Sequence, residues 1–142
     1  MLVALLPDQV SDMWPILKGH IDDSLPPTGD WGPYDMNTIL FNLLSGYAQI
    51  WLYKNDLQEN QGFITTTIMN DISGVRTLLI YNIIVIDKSA KVNWIKEFET
   101  LKAFAHSRGC SKIGSYVMNQ KVLDIVKEHD VETRFTFAYI DI

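Results

Sequence analysis

The residues best placed to do chemistry lie around one junction, "VIDKSAKVNWIKEF", Val85 to Phe98, where a long apolar run passes into a helical pattern. At the start of a helix, free backbone N–H groups and the helix dipole point at an incoming anion. Lys88 and Lys91, with the small residues Ser89 and Ala90 between them, could neutralise phosphate charge there. The stretch has no glycine, and Asp87 adds negative charge. Charged side chains are mostly exposed, so the adopted reading of these lysines is the solvated end of a strand-to-helix turn, with anion contact as the alternative.

Just upstream, Tyr81 and Asn82 interrupt the apolar run "RTLLIYNIIVI", Arg76 to Ile86. A polar tip in a buried strand needs a partner or a cleft. Asn82 therefore makes either a structural hydrogen bond or a cleft contact, and Ser115 and Tyr116 on the next strand-like run are open to the same two readings. No Asp or Glu falls on this wall to act as a base. His20, His106 and His129 each lie near a predicted helix end, where dipole effects alone favour them. His106 and Cys110 are separated by Gly109 and a helix end, which points to a buried, inert cysteine. Asp22, Asp23 and Asp30 lack the spacing of a calcium loop, so no metal is expected.

These residues need a scaffold. The chain has 142 residues, 47% hydrophobic and 20% charged, which fits one domain, 1–142, with a sizeable core. A formal charge of −5 with scattered lysines and arginines argues against nucleic acid as a partner. A single cysteine excludes an internal disulfide and suits a reducing compartment. The opening "MLVALLPDQ" is too short in apolar residues for a signal segment or a span, so no membrane partner is expected and Leu2 to Leu6 reads as a strand.

From Ser11, a plausible N-cap, Met13, Ile16, Leu17 and Ile21 recur at helical spacing until the loop "DDSLPPTGDWGPYD". Asp35 or Asn37 can cap a second helix with Ile39, Leu40, Leu43 and Leu44 inward and Gly46 as its stop. "YAQIWLY", "GFITTTIM" and "RTLLIYNIIVI" read as strands joined by short polar links, hence antiparallel hairpins, the third apolar on both faces as in a central strand. Trp94, Phe98, Leu101 and Ala105 form one helical stripe that Gly109 ends. "SKIGSYVM" reads as a strand, "QKVLDIVKEHD" as a helix and "TRFTFAYIDI" as a final alternating strand. The predicted fold is α/β (α+β), a mixed and mainly antiparallel sheet in the order β-α-α-β-β-β-α-β-α-β.

That order resembles the Gcn5-related N-acetyltransferase (GNAT) superfamily along essentially the whole chain. More narrowly, "LFNLLSGYAQIWLY" and "VNWIKEFETLKAFAHSRGCSKIGSYV" look like the short acetyltransferase-like proteins of tailed bacteriophages. In active members the strand matched by Arg76 to Ile86 exposes backbone to the pantetheine arm of acetyl-CoA. A glycine-rich turn then grips the pyrophosphate, at the positions held here by Asp87, Lys88, Ser89, Ala90 and Lys91. Those positions lack the glycines that a close backbone approach requires. The resemblance also implies a tyrosine general acid in the last helix. Asn119 matches the asparagine of that pattern, but Ile125 and Val126 stand in the tyrosine region.

The resemblance thus implies a catalytically degenerate phage protein that binds another protein, phage structural or host, in a virion or the host cytoplasm, with no cofactor expected. Trp31 and Tyr34, in a loop of turn residues, are the candidate anchors, though they could equally cover the core. The C-terminal run offers an edge for pairing with another chain, including a second copy. The competing expectation is an acetyl-CoA-dependent N-acetyltransferase with a nonstandard pyrophosphate loop and Tyr81, Asn82, Ser115 and Asn119 along its cleft. Between them stands a regulator that binds acyl-CoA without turnover.

Overall fold

The computed structural model describes residues 1–26, 34–86, 94–117, 120–127 and 131–134, with Ala138 and Ile140. β1 (Leu2–Ala4) leads to α1 (Pro7–Asp22) and α2 (Met36–Leu44). β2 (Ala48–Lys54), β3 (Asn60–Asn70) and β4 (Arg76–Val85) follow in succession, then α3 (Trp94–Ser107), β5 (Lys112–Ser115) and α4 (Gln120–Lys127). The predicted order holds through α4. Within "TRFTFAYIDI" only Thr133, Arg134, Ala138 and Ile140 are described, and none of them is in a strand. The pairing edge expected there is absent from those residues.

Local chemistry explains where the elements begin and end. α1 starts at Pro7, ahead of the predicted Ser11 cap, because the fixed φ of proline suits a first turn and the Gln9 side chain accepts from the Leu6 N–H at 2.9 Å. Pro15 leaves the Ser11 carbonyl without its helical donor on an exposed face, where water can serve it. α2 is capped as predicted: the Asp35 carboxylate accepts from the Asn37 N–H at 2.8 Å, and Gly46, at φ +77°, turns the chain out of the helix.

The five strands lie in sequence order across one sheet. β1–β2, β2–β3 and β3–β4 are antiparallel and β4–β5 is parallel, as a helical crossover through α3 requires. One apolar layer, with Leu17, Ile21, Ile50, Phe63 and Ile84, joins the sheet to α1 and α2; the other, with Trp51, Ile64, Leu78, Ile80 and Leu101, joins it to α3. The stripe of α3 differs from expectation. Leu101 and Ala105 are buried, but Phe98 is 38% exposed and Glu97 takes the inward place, because the buried line runs through 97, 101 and 105 at intervals of four. Leu44, expected inward on α2, is also exposed.

Candidate functional site

β4 changes character halfway along. Thr65 of β3 pairs with Asn82 and Thr66 with Ile80, so Tyr81 is an extra residue in β4, a β-bulge. Because side chains alternate in a strand, one extra residue reverses which face the later positions serve. Leu78 and Ile80 pack on the α3 side, whereas Ile84, of the same parity, packs on the α1–α2 side. The bulge thus delivers Asn82 to the α1–α2 face and leaves Ile83 and Val85 exposed on the other.

The pairing changes at the same place. β5 pairs with β4 over Thr77 to Ile80 and Lys112 to Ser115, and among the described residues no strand continues that pairing past Ile80. The described pairing of the two parallel strands ends there. Tyr81 and Tyr116 stand just beyond the last paired residues, with rings 6.3 Å apart in an edge-to-face arrangement. Burial, and secondarily the neighbouring Tyr81, pushes the Tyr116 phenol above its ordinary value of 10.0, so it stays protonated across the neutral range. Ser115 is exposed and its hydroxyl donates to the Tyr116 carbonyl at 3.3 Å.

Asn82 is nine-tenths buried. Its amide Nδ2 donates to the Ser24 hydroxyl at 2.9 Å, and Ser24 in turn donates to the His20 carbonyl at 2.8 Å at the end of α1. Among the described residues its carbonyl Oδ1 has no hydrogen-bond partner, nor has the buried hydroxyl of Thr65, the residue opposite it in the register. One end of the Asn82 side chain thus makes a structural hydrogen bond, and the other is a buried acceptor without a described donor. Leaving such a group unpaired costs about 1–3 kcal/mol.

The remaining candidates fall apart from this cluster. Lys88, Ser89, Ala90, Lys91, Asn119 and Trp31 lie outside the described residues. Tyr34 is 47% exposed and its hydroxyl donates to the Asp22 carboxylate, tying it back to α1. Cys110 is buried against α3, and among the described residues no group of His, Cys, Asp or Glu is gathered to hold a metal. No described helix is long and apolar enough to cross a membrane.

Sequence reasoning finds Tyr81, Asn82 and Ser115 but misses the bulge, the orphaned Thr65 hydroxyl and Ser24. A strand apolar on both faces carries no parity signal, so nothing in "LLIYNIIV" tells where its alternation breaks.

Comparison with protein-family models and with curated protein sequences finds no match. Solved structures do match, over the whole chain. A ribosomal-protein-alanine N-acetyltransferase from Brucella melitensis biovar Abortus 2308 superposes with a TM-score of 0.68 at 14% identity, covering 100% of this chain and 99% of that one. An aminoglycoside acetyltransferase from an uncultured soil metagenomic sample gives 0.70 at 14% identity, covering 100% and 97%. A Trypanosoma brucei acetyltransferase gives 0.63 at 15% identity, covering 100% and 99%. The chain has the GNAT acetyltransferase fold, with its α/β architecture and mixed five-stranded sheet.

Proposed function

We propose that this chain is an acyl-CoA-dependent acyltransferase acting on an amine. The observation that supports this reading most is the bulge at Tyr81 together with the parting of β4 from β5 beyond Ile80. That opening leaves the β5-side backbone groups of Tyr81 to Val85 without a described strand partner, a row of donors and acceptors suited to an amide-bearing arm laid alongside as an extra strand. A cradle of this kind fits the pantetheine portion of coenzyme A.

Acyl-CoA, when bound, would supply the acyl thioester and its thiol leaving group. The chain's own residues would do the rest. The β5-side backbone of β4 holds the arm, and Tyr116, a phenol protonated across the neutral range, holds a proton at its oxygen for a departing thiolate. Neither Tyr81 to Val85 nor Ser115 to Val117 carries a carboxylate. That observation favours a second reading in which acyl-CoA is bound without turnover.

Calorimetry with acetyl-CoA tests the binding step. Saturable binding, with a melting temperature that rises with ligand concentration by mass action, is the expected result, and no heat and no shift at millimolar acetyl-CoA would sink the proposal. Where binding is seen, release of free thiol in the presence of polyamine and aminoglycoside acceptors separates the readings. Turnover that falls in Tyr116→Phe supports transfer; tight binding with no thiol release supports the second.

A further inference from the structure

We propose that Ser24 is a positioning residue for the acyl-CoA cradle: by accepting the Asn82 amide it holds β4 in its bulged register, and so keeps the strand edge beyond Ile80 open for the arm. This role rests on the acyl-CoA reading, whereas the register is a property of the chain alone.

The apolar pattern of β4 does not itself call for a bulge. With the extra residue at Tyr81, Asn82 and Ile84 lie in the α1–α2 layer at 7% and 8% exposure, and Ile83 and Val85 stay exposed on the other face. Had the pairing of Thr66 with Ile80 run on without the extra residue, Thr65 would oppose Tyr81 and Phe63 would oppose Ile83, which exchanges the two sets. Ile83 and Val85 would then enter the layer in place of one apolar and one polar side chain. Side-chain burial alone favours the unbulged strand. The bulged strand also carries the buried Asn82 Oδ1 and Thr65 hydroxyl without described partners. What it gains in return is the hydrogen bond to Ser24, which an Asn82 on the other face of the sheet could not reach.

Ser24 is a fixed post for that bond. Its backbone N–H donates to the Ile21 carbonyl at 3.1 Å in the closing turn of α1, and Ile21 and Leu25 are both buried in the core. Its hydroxyl donates to the His20 carbonyl at 2.8 Å and to the Ile21 carbonyl at 3.2 Å. The one hydroxyl proton is thus committed to the helix end, and a lone pair is left for the Asn82 Nδ2–H at 2.9 Å. A serine in this state accepts and does not donate, so it fixes which way the buried amide points.

The bulge lies one residue past Ile80, the last residue of β4 paired with β5. A bulge bends its strand and sharpens the local twist, which turns β4 away from its parallel neighbour. A straight β4 would run on beside Tyr116 and Val117, and β5 would take up the backbone groups that the arm needs. Ser24 therefore acts on the cradle through Asn82, without touching the ligand.

The register is read by NMR on the full chain without ligand. In the wild type, cross-strand contacts should join Thr65 to Asn82, and the Asn82 side-chain amide protons should exchange slowly and show contacts to Ser24. Ser24→Ala removes the acceptor: the Thr65 contacts should shift from Asn82 toward Tyr81, and acetyl-CoA should bind about tenfold more weakly, the loss of one buried hydrogen bond. Ser24→Thr keeps a hydroxyl and should restore both. A serine with a merely structural role would lower the melting temperature and leave register and affinity alone. Fast exchange of the Asn82 amide in the wild type would overturn the proposal, and so would a Ser24→Ala chain that keeps the Thr65–Asn82 pairing and binds acetyl-CoA within about twofold of wild type. The wild-type exchange decides the matter if Ser24→Ala fails to fold. A wild type that binds no acetyl-CoA would sink the acyltransferase reading, while the register measurements still test the bond to Ser24.

Discussion

The two halves of β4 are built from the same kinds of residue and do different work. From Arg76 to Ile80 the strand is paired on both sides, by β3 and β5, and Leu78, Leu79 and Ile80 are all buried. From Tyr81 to Val85 its described pairing is with β3 alone, Ile83 and Val85 are 44% and 40% exposed, and a polar side chain whose buried acceptor has no described donor sits in the layer. Composition does not separate the halves; pairing does. A strand with a partner on each side has spent its backbone groups, whereas one that has lost a partner can offer them to a ligand without any change of residue type.

The largest way to break this contrast acts on the half that has only one partner. Gly62 of β3 faces Val85, and a methyl group added there would lie 2.3 Å from the Ile84 carbonyl oxygen, far inside any real contact. Since the obstacle is backbone, the strands themselves must move. Gly62→Ala should cost roughly 1–3 kcal/mol, measured by chemical denaturation, and should lower acetyl-CoA affinity. Equal stability and equal affinity would show that the single β3 partner does not fix the open half.

A smaller and sharper change concerns Asn82. Ser24→Ala removes the acceptor of its buried amide, leaving Nδ2 as unpaired as Oδ1, and should destabilise the fold by about 1–2 kcal/mol. Asn82→Leu removes both polar atoms at similar volume and should stay within about 1 kcal/mol of wild type. If the leucine variant is the less stable of the two, Oδ1 is satisfied within the folded chain.

Much of the scaffold was legible because it rests on local signals. The Asp35 cap, the Gly46 and Gly109 stops and the antiparallel meander of three strands all follow from residue types at fixed offsets. The exposed Phe98 and the inward Glu97 were not legible, because the stripe drawn through Trp94, Phe98 and Leu101 is nearly as regular as the one the helix uses. The site was half legible. Tyr81 and Asn82 stand out as polar tips in an apolar run, yet their arrangement depends on a bulge whose cause is the register against β3 and on a hydroxyl, Ser24, fifty-eight positions away in the chain.

The smallest expected effect lies at the entry to the fully paired half, in the turn between β3 and β4. The Asp71 carboxylate accepts from the Ser73 hydroxyl, from the Ser73 N–H at 2.7 Å and from the Val75 N–H at 3.2 Å, with Gly74 at φ +83° closing the turn. The Ser73 side chain and then its backbone hold the carboxyl below its ordinary value of 3.8. A depressed carboxylate contributes stability that is present above the unfolded value and is lost as pH falls through the folded one. The wild type should therefore exceed Asp71→Asn in stability near neutrality, and the gap should close only below about pH 4, the ordinary aspartate value. The Asn variant should leave acetyl-CoA binding untouched, since the turn borders the half of β4 that β5 already completes. A gap that closed at higher pH would mean the carboxylate is not held by these donors, and a loss of acetyl-CoA affinity would mean that the two halves of the strand are not independent.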